Sequence, residues 1–425
     1  MPSVVDHEEG SSSDDFSDLP TPLTVPVSTM LSSYKTTNVL APLVRCSKLP
    51  FRHLCSLYET HVTHTPMILA QEFSRSQTAR ISDFSTNADE RGVFWMEPKH
   101  AGSSATFRPH PEDGPEIRDT LPEDVDEEPP DRGLIRSITY HRPRPHSRLP
   151  PTPRPPTKHS QLVRGALVVQ MASPNGASLA DAAQLIAPYV DGLDINCGCP
   201  QSWAYHEGIG CALLRKPELV RDMVRTVKGR MGWGWPVSIK IRIDPDLKLT
   251  DQLIRTALET NVSHITIHGR TRHQASTEPV SLDGIRFAVE CVRGEVPTVA
   301  NGDLWDLADA QSMRDHCGVD GVMAARGLLA NPALFAGYDK TPRHAVEQFV
   351  NLSVDYGFIF PLFHRHLAYM LESHFVKPEK TYFNALPSSV SAIDYLSSRG
   401  LDFRAIKQVP MWDGRKGRED LSRCI

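Results

Sequence analysis

With 425 residues, 40% of them hydrophobic and 23% charged, the chain holds enough apolar material for one large core or two modest ones. No apolar run approaches the roughly 20 residues that a membrane-spanning helix requires, and the acidic, serine-rich start MPSVVDHEEGSSSDDFSD argues against a signal or transit peptide, so no membrane association is expected. The formal net charge of −5 taken alone argues against a polyanion partner.

The acid is unevenly placed, however. Residues 1–35 carry six carboxylates against one lysine and residues 112–131 carry ten against one arginine, leaving 44 basic groups against 35 acidic ones elsewhere. Seven of those basic groups lie between Arg132 and Lys158, in a proline-rich stretch. Charge thus permits nucleic-acid binding without demonstrating it. Eight cysteines, at positions 46, 55, 197, 199, 211, 291, 317 and 424, show no disulfide spacing, which fits a reducing cytoplasmic or nuclear compartment.

In chain order, residues 1–35 read as an unfolded acidic tail. A succession of short apolar, β-branched runs then begins: TNVLAPLVR (37–45), MILAQEF (67–73), ALVVQMAS (166–173), GLDINCG (192–198), VSIKIRI (237–243), HITIHGR (264–270), PTVANGD (297–303) and GVMAARG (321–327). Residues 94–160 interrupt the series, with seven prolines inside 141–156, and read as a solvated insertion between the second and third strands. Amphipathic segments such as SLADAAQLIAPYV, KPELVRDMVRTVKGR and DQLIRTALETN fill the other gaps. Continuous apolar strands alternating with helices predict a parallel sheet, and eight such units predict a closed α/β (β/α)8 TIM barrel over 36–340, with a doubly wound open sheet as the alternative. Beyond it, 341–400 reads as a small C-terminal helical domain, and 401–425 has no clear period.

The strands gather polar residues at their C-terminal ends: Gln170, Asn196 and Cys199, Lys240 and Arg242, His268 and Arg270, Asn301 and Asp303, and Arg326. In a barrel these ends converge on one mouth, where barrel enzymes place their chemistry. VANGD and AARG offer backbone N–H groups and an arginine where barrels commonly bind phosphate. Lys240 and Gln170 suit the polar edge of a flavin, although Lys240 equally suits an interior ion pair with Asp194 or Asp244. Gly208-Ile-Gly210 follows no strand and lacks a third glycine, so it is not read as a dinucleotide fingerprint.

Cys197 and Cys199 admit three readings. Zinc would need further ligands, and no CxxC or His partner at the right spacing accompanies them, so no metal is expected. A redox pair is the second. The third makes Cys199, at the tip of the strand, a general acid that holds its proton near neutral pH while Cys197 packs as a small hydrophobe.

The run DINCGCPQ, with APLVRCSKLPFR before it and IKIRI, IHGRT, VANGD and ARGLLANPALF after it, resembles the tRNA-dihydrouridine synthases. Within them it is closest to the short eukaryotic class acting at positions 20a and 20b of the D-loop, to which ARGLLANPALFAGY and FNALPSSVSAIDYL are similar. The resemblance spans about residues 37–92 and 161–397. It implies an oxidoreductase that carries FMN across the mouth, with Pro42, Leu43 and Val44 beneath the ring, Gln170, Lys240 and His268 at its polar edge, and Asn301, Gly302, Asp303, Ala325 and Arg326 around the phosphate. It further implies that NADPH or NADH is the reductant and tRNA the partner, that the helical domain binds tRNA, that Asn196 and Arg242 position the flipped uracil, and that Cys199 protonates C5 as hydride reaches C6. Two departures stand out: Ala325-Arg-Gly327 where most of the family has Gly-Arg-Gly, and the 94–160 insertion. The rival readings are an FMN barrel reductase of a free pyrimidine or small enone, and a catalytically silent tRNA-binding factor.

Overall fold

The computed structural model describes residues 20–100, 139–140 and 157–403. The expectations for residues 1–19, for most of the insertion and for the chain beyond 403 lie outside these residues. Eight parallel strands close into a barrel: β1 (Thr37–Leu40), β2 (Val62–His64), β3 (Ala166–Ala172), β4 (Gly192–Cys197), β5 (Val237–Arg242), β6 (Ile265–His268), β7 (Thr298–Asn301) and β8 (Gly321–Ala324). β1 pairs with β8, each later strand pairs with the one before it, and pairing of Val62–His64 with Ala166–Val168 completes the ring, which decides for the closed barrel over the open sheet.

Strand alternation sorts the side chains into two environments. Leu193, Ile195 and Cys197, Val237, Ile239 and Ile241, and Ile265 and Ile267 face outward into one core shared with the surrounding helices. Their even-numbered neighbours face the barrel interior, and the register sets them in tiers: Gln170 beside Asp194 beside Ser238, then Asn196 beside Lys240 beside Thr266, then Arg242 beside His268 beside Asn301. The runs that read as buried strands are therefore apolar on one face and, in β4 to β6, polar on the other.

The second strand departs from expectation. β2 is Val62–His64, whereas in MILAQEF only Ile68–Leu69 pairs, with Met171–Ala172, before the chain turns into the helix Ala70–Arg75. Ala, Gln, Glu and Arg favour that helix. The three-residue β2, with His64 on its inner face, carries too little apolar pattern to stand out in sequence.

The opposite end of the barrel is plugged by segments expected to be unfolded. The helix Val27–Ser33 buries Val27, Met30 and Leu31 in a cluster with Val39, Val62, Val168, Val299 and Met323 from the strand interiors. The fit is close: a Cβ on Gly321 would stand 2.6 Å from Leu31. Thus 20–35 is not part of an unfolded tail, and a seven-residue helix is too short to announce itself by period. Likewise the expected start of the insertion at 94 is corrected: Val93–Met96 pairs antiparallel with Gln161–Arg164, and Phe94 and Met96, two apart on one face, enter the same cluster. Phe94→Ala should therefore lower stability by about 3–5 kcal/mol, as for a buried aromatic truncated in a packed core, measured by denaturant unfolding. A loss below about 0.5 kcal/mol would show the plug to be dispensable.

After β8, the helices Arg343–Asp355, Phe360–Leu371, Lys377–Asn384 and Ser389–Ser398 pack through Phe349, Phe363, Leu367 and Phe383 into the same core as the barrel wall. His366 ties this layer to the mouth end of β1, its Nε2 lying 2.9 Å from the Cys46 carbonyl. Among the described residues no helix is long and apolar enough to cross a membrane.

Candidate active site

The interior tiers carry a directional chain of hydrogen bonds. Ser238 Oγ donates to Asp194 Oδ1 at 2.8 Å, and Gln170 Nε2 donates to Asp194 Oδ2 at 2.8 Å. A carboxylate can only accept, so the Gln170 amide must present its NH2 to Asp194 and turn Oε1 toward Asn196, whose Nδ2 donates to it at 2.8 Å. Asn196 Oδ1 then receives the backbone N–H groups of Gly198 (3.2 Å) and Cys199 (3.0 Å). A buried carboxylate thus orients, through two amides, the turn that carries the cysteine. Sequence reasoning assigned Asp194 no role beyond a partner for Lys240, because the register that stacks it under Gln170 is a tertiary fact.

Cys197 is fully buried on the outer face, where burial pushes its thiol well above the ordinary range. Cys199 is half-buried, packed beside Ala172, Ala204 and Ile209 with Met67 and Leu69. Its backbone is held from behind by the Gly208-Ile-Gly210 segment: the Cys211 N–H donates to the Cys199 carbonyl at 3.0 Å. Gly210 has φ +63°, and a Cβ there would stand 2.6 Å from that carbonyl oxygen. Gly210 is thus required because backbone meets backbone here, and Gly208 by its φ of +73°. Among the described residues no three His, Cys, Asp or Glu side chains stand together as metal ligands.

Among the described residues Lys240 has no carboxylate within salt-bridge distance, although Asp194 is its electrostatic neighbour and favours its charged form. Asp194 is engaged as described, and Asp244 takes Arg215 in a bidentate pair at 2.9 and 3.0 Å. Burial holds the Lys240 ammonium below the ordinary lysine range, and burial pushes the Asp194 carboxyl up. His268, one tier above and one strand over, is kept neutral: burial, reinforced by Lys240, Arg242, Arg270 and Arg326, moves it far below its usual value. Arg242 bridges two loops, donating from Nε to the Gly198 carbonyl (3.0 Å) and from Nη1 to the Thr271 carbonyl (2.8 Å).

A cavity of about 130 Å³ opens beside these groups, lined among others by Arg242, His268, Asn301, Gly302, Ala325 and Arg326. Gly302, at φ +133°, leaves room that a Cβ would fill by colliding with Val280. Asn301 Nδ2 donates to the Met323 carbonyl at 2.9 Å, fixing β7 against β8. The Asp303 carboxylate, which the resemblance places around the phosphate, grips two arginines, Arg270 at 2.5 Å and Arg326 at 2.7 Å. Its side chain orients the two guanidinium groups at the cavity's edge. Trp305, whose ring stands 5.1 Å from the Arg326 guanidinium, is a site residue that sequence reasoning did not name. Pro42, Leu43 and Val44 lie in the turn after β1, where Ser47 Oγ accepts from the Leu43 N–H at 2.9 Å, and none of them lines this cavity. Val44 is exposed.

The description "Dihydrouridine synthase (Dus)" belongs to a family model that matches residues 39–95 and 136–393. A tRNA-dihydrouridine(20a/20b) synthase-like protein of Mus musculus is 39% identical over 372 residues, spanning 87% of this chain and 90% of its own length. The tRNA-dihydrouridine(20a/20b) synthases of Schizosaccharomyces pombe (37% identical, 81% of this chain and 82% of that protein) and Saccharomyces cerevisiae (34%, 84% and 78%) match comparably. All three names carry NAD(P)+. With most of its length so matched, this chain belongs to the dihydrouridine synthase family.

Proposed function

We propose that the chain reduces uridine to 5,6-dihydrouridine in the D-loop of tRNA, at positions 20a and 20b, with FMN held in the barrel mouth and NADPH or NADH as the electron source. The observation that carries this reading is the half-buried Cys199 on a turn oriented by Asn196, at the end of the strand that runs beside Lys240. The names of the relatives supply the substrate and the pyridine nucleotide.

The residues fit a flavin. A part-buried cation whose desolvation Asp194 offsets only in part gains from an anionic group that faces it, and the electron-rich N1/O2 edge of an isoalloxazine is such a group. Lys240, the second N–H of Gln170 and His268 would hold that edge. Arg326 and the backbone of Asn301, Gly302, Asp303 and Ala325 would hold the phosphate, with Pro42, Leu43 and Val44 beneath the ring. When bound, the flavin supplies the hydride equivalent that saturates the 5,6 double bond of uracil.

The chain's own residues do the rest. Asn196 and Arg242 position the uracil. Cys199 Sγ–H gives its proton to C5, so that hydride and proton add across one double bond, and the thiolate regains its proton from solvent. The helical layer from Arg343 to Ser398 takes up the tRNA beyond the mouth. Incubation of the purified protein with an unmodified tRNA transcript and NADPH, followed by mass spectrometry and position mapping, should yield dihydrouridine at 20a and 20b. Turnover of free uridine without turnover of tRNA would instead favour a small-molecule reductase.

A further inference from the structure

At the rim of the mouth, three residues beyond the Cys-Pro turn, the helix Ser202–His206 seats Ala204 in the cluster beneath Cys199 and leaves Tyr205 40% exposed. The Arg272 guanidinium lies over the Tyr205 ring, its central carbon 3.3 Å from the centroid. Other arginines near the mouth are tied to acceptors: Arg215 to Asp244, Arg270 and Arg326 to Asp303, and Arg242 to two carbonyls. Arg272 alone of these five makes no ion pair or hydrogen bond among the described residues. Its charge is stacked and its donor edge is left free. The pair is also mechanically joined to the acid, since Arg242 links the carbonyl of Gly198, next to Cys199, to that of Thr271, next to Arg272.

A planar guanidinium lying on an aromatic ring with its donors free offers two things: a face on which a base stacks and an edge that meets a phosphate. We infer that Tyr205 and Arg272 form a platform for the nucleotide adjacent to the target uridine, an inference that rests on the tRNA reading. Extruding a uridine strips its neighbours of their stacking partner, and a platform beside the proton donor replaces what was lost. A reduced dinucleotide creates no such gap, which favours RNA as the occupant.

The test uses the full-length, flavin-loaded protein. Fluorescence anisotropy with an unmodified tRNA transcript at fixed salt gives Kd, and anaerobic stopped-flow with NADPH gives the rate of flavin reduction. Tyr205→Ala should weaken tRNA binding by roughly 5- to 150-fold, the value of one base stack, while Tyr205→Phe stays within about twofold of wild type. Arg272→Gln should weaken it too and lower the slope of log Kd against log salt by about one. Flavin reduction should be unchanged in all three, and the melting midpoint should be unaltered because neither side chain is buried. Unchanged tRNA affinity in both Tyr205→Ala and Arg272→Gln overturns the platform. Slowed flavin reduction with normal tRNA affinity overturns it in favour of a dinucleotide site. A wild-type protein that reduces its flavin normally but neither binds nor modifies tRNA overturns the broader reading and this inference with it, a result distinct from failure of the variants alone.

Discussion

Cys199→Ala should slow dihydrouridine formation by roughly 10²–10⁴-fold, the loss expected when a general acid is removed, while flavin content and its reduction by NADPH stay at wild-type values. Neither of those steps uses the thiol. Cys197→Ala is the matched control, because it deletes the same atom two residues away on the same strand end. Cys197 faces the helix layer rather than the mouth, with no exposed surface, so its loss should cost about 1 kcal/mol of stability and little turnover. The two variants separate geometry from chemistry: a folding defect in the turn would register in both, a missing proton in one. Loss of turnover in Cys197→Ala with full turnover in Cys199→Ala would reverse the assignment.

Lys240→Met should act in opposite directions on two forms of the protein. In the flavin-free form Lys240 is part-buried, desolvation holds its ammonium below the ordinary lysine range with Asp194 offsetting this in part, and the Asp194 carboxylate takes its hydrogen bonds from Gln170 and Ser238. Replacing it with an apolar side chain of similar length should raise the melting midpoint of the flavin-free protein. Flavin should be retained about 10–100-fold less tightly, because one charge-assisted contact to the polar edge is lost. Both are read without turnover, by differential scanning calorimetry of the stripped protein and by titration of free FMN. A lowered midpoint together with unchanged flavin affinity would mean that Lys240 serves the barrel rather than a cofactor.

The polar strand ends, Gln170, Asn196, Lys240, Arg242, His268, Asn301 and Arg326, were legible because a parallel barrel strand has no local reason to end in charge, and period-2 alternation places them on one face. Which of them cooperate was not. That Asp194 orients Gln170, which orients Asn196, which holds the N–H of Cys199, depends on strand register. A strand's sequence is the same whether its neighbour sits level with it or two residues away. The Asp303 grip on Arg270 and Arg326 is hidden for the same reason: the partners lie 33 and 23 residues from it.

By itself the sequence determined the succession of strand and helix, the mouth at which its chemistry gathers and the cysteine placed at a strand tip, because these follow from short-range periodicity and from residue types that buried strands otherwise avoid. Only the tertiary structure decided where the second strand lies, what stoppers the barrel and which hydrogen bonds the carboxylate beside Lys240 takes. β2 is three residues long, the plugging helix seven, and Phe94 with Met96 a single pair of inward side chains. Elements that short have almost no stability of their own and form because a surface already present buries them, so the information that specifies them is spread over the residues they touch.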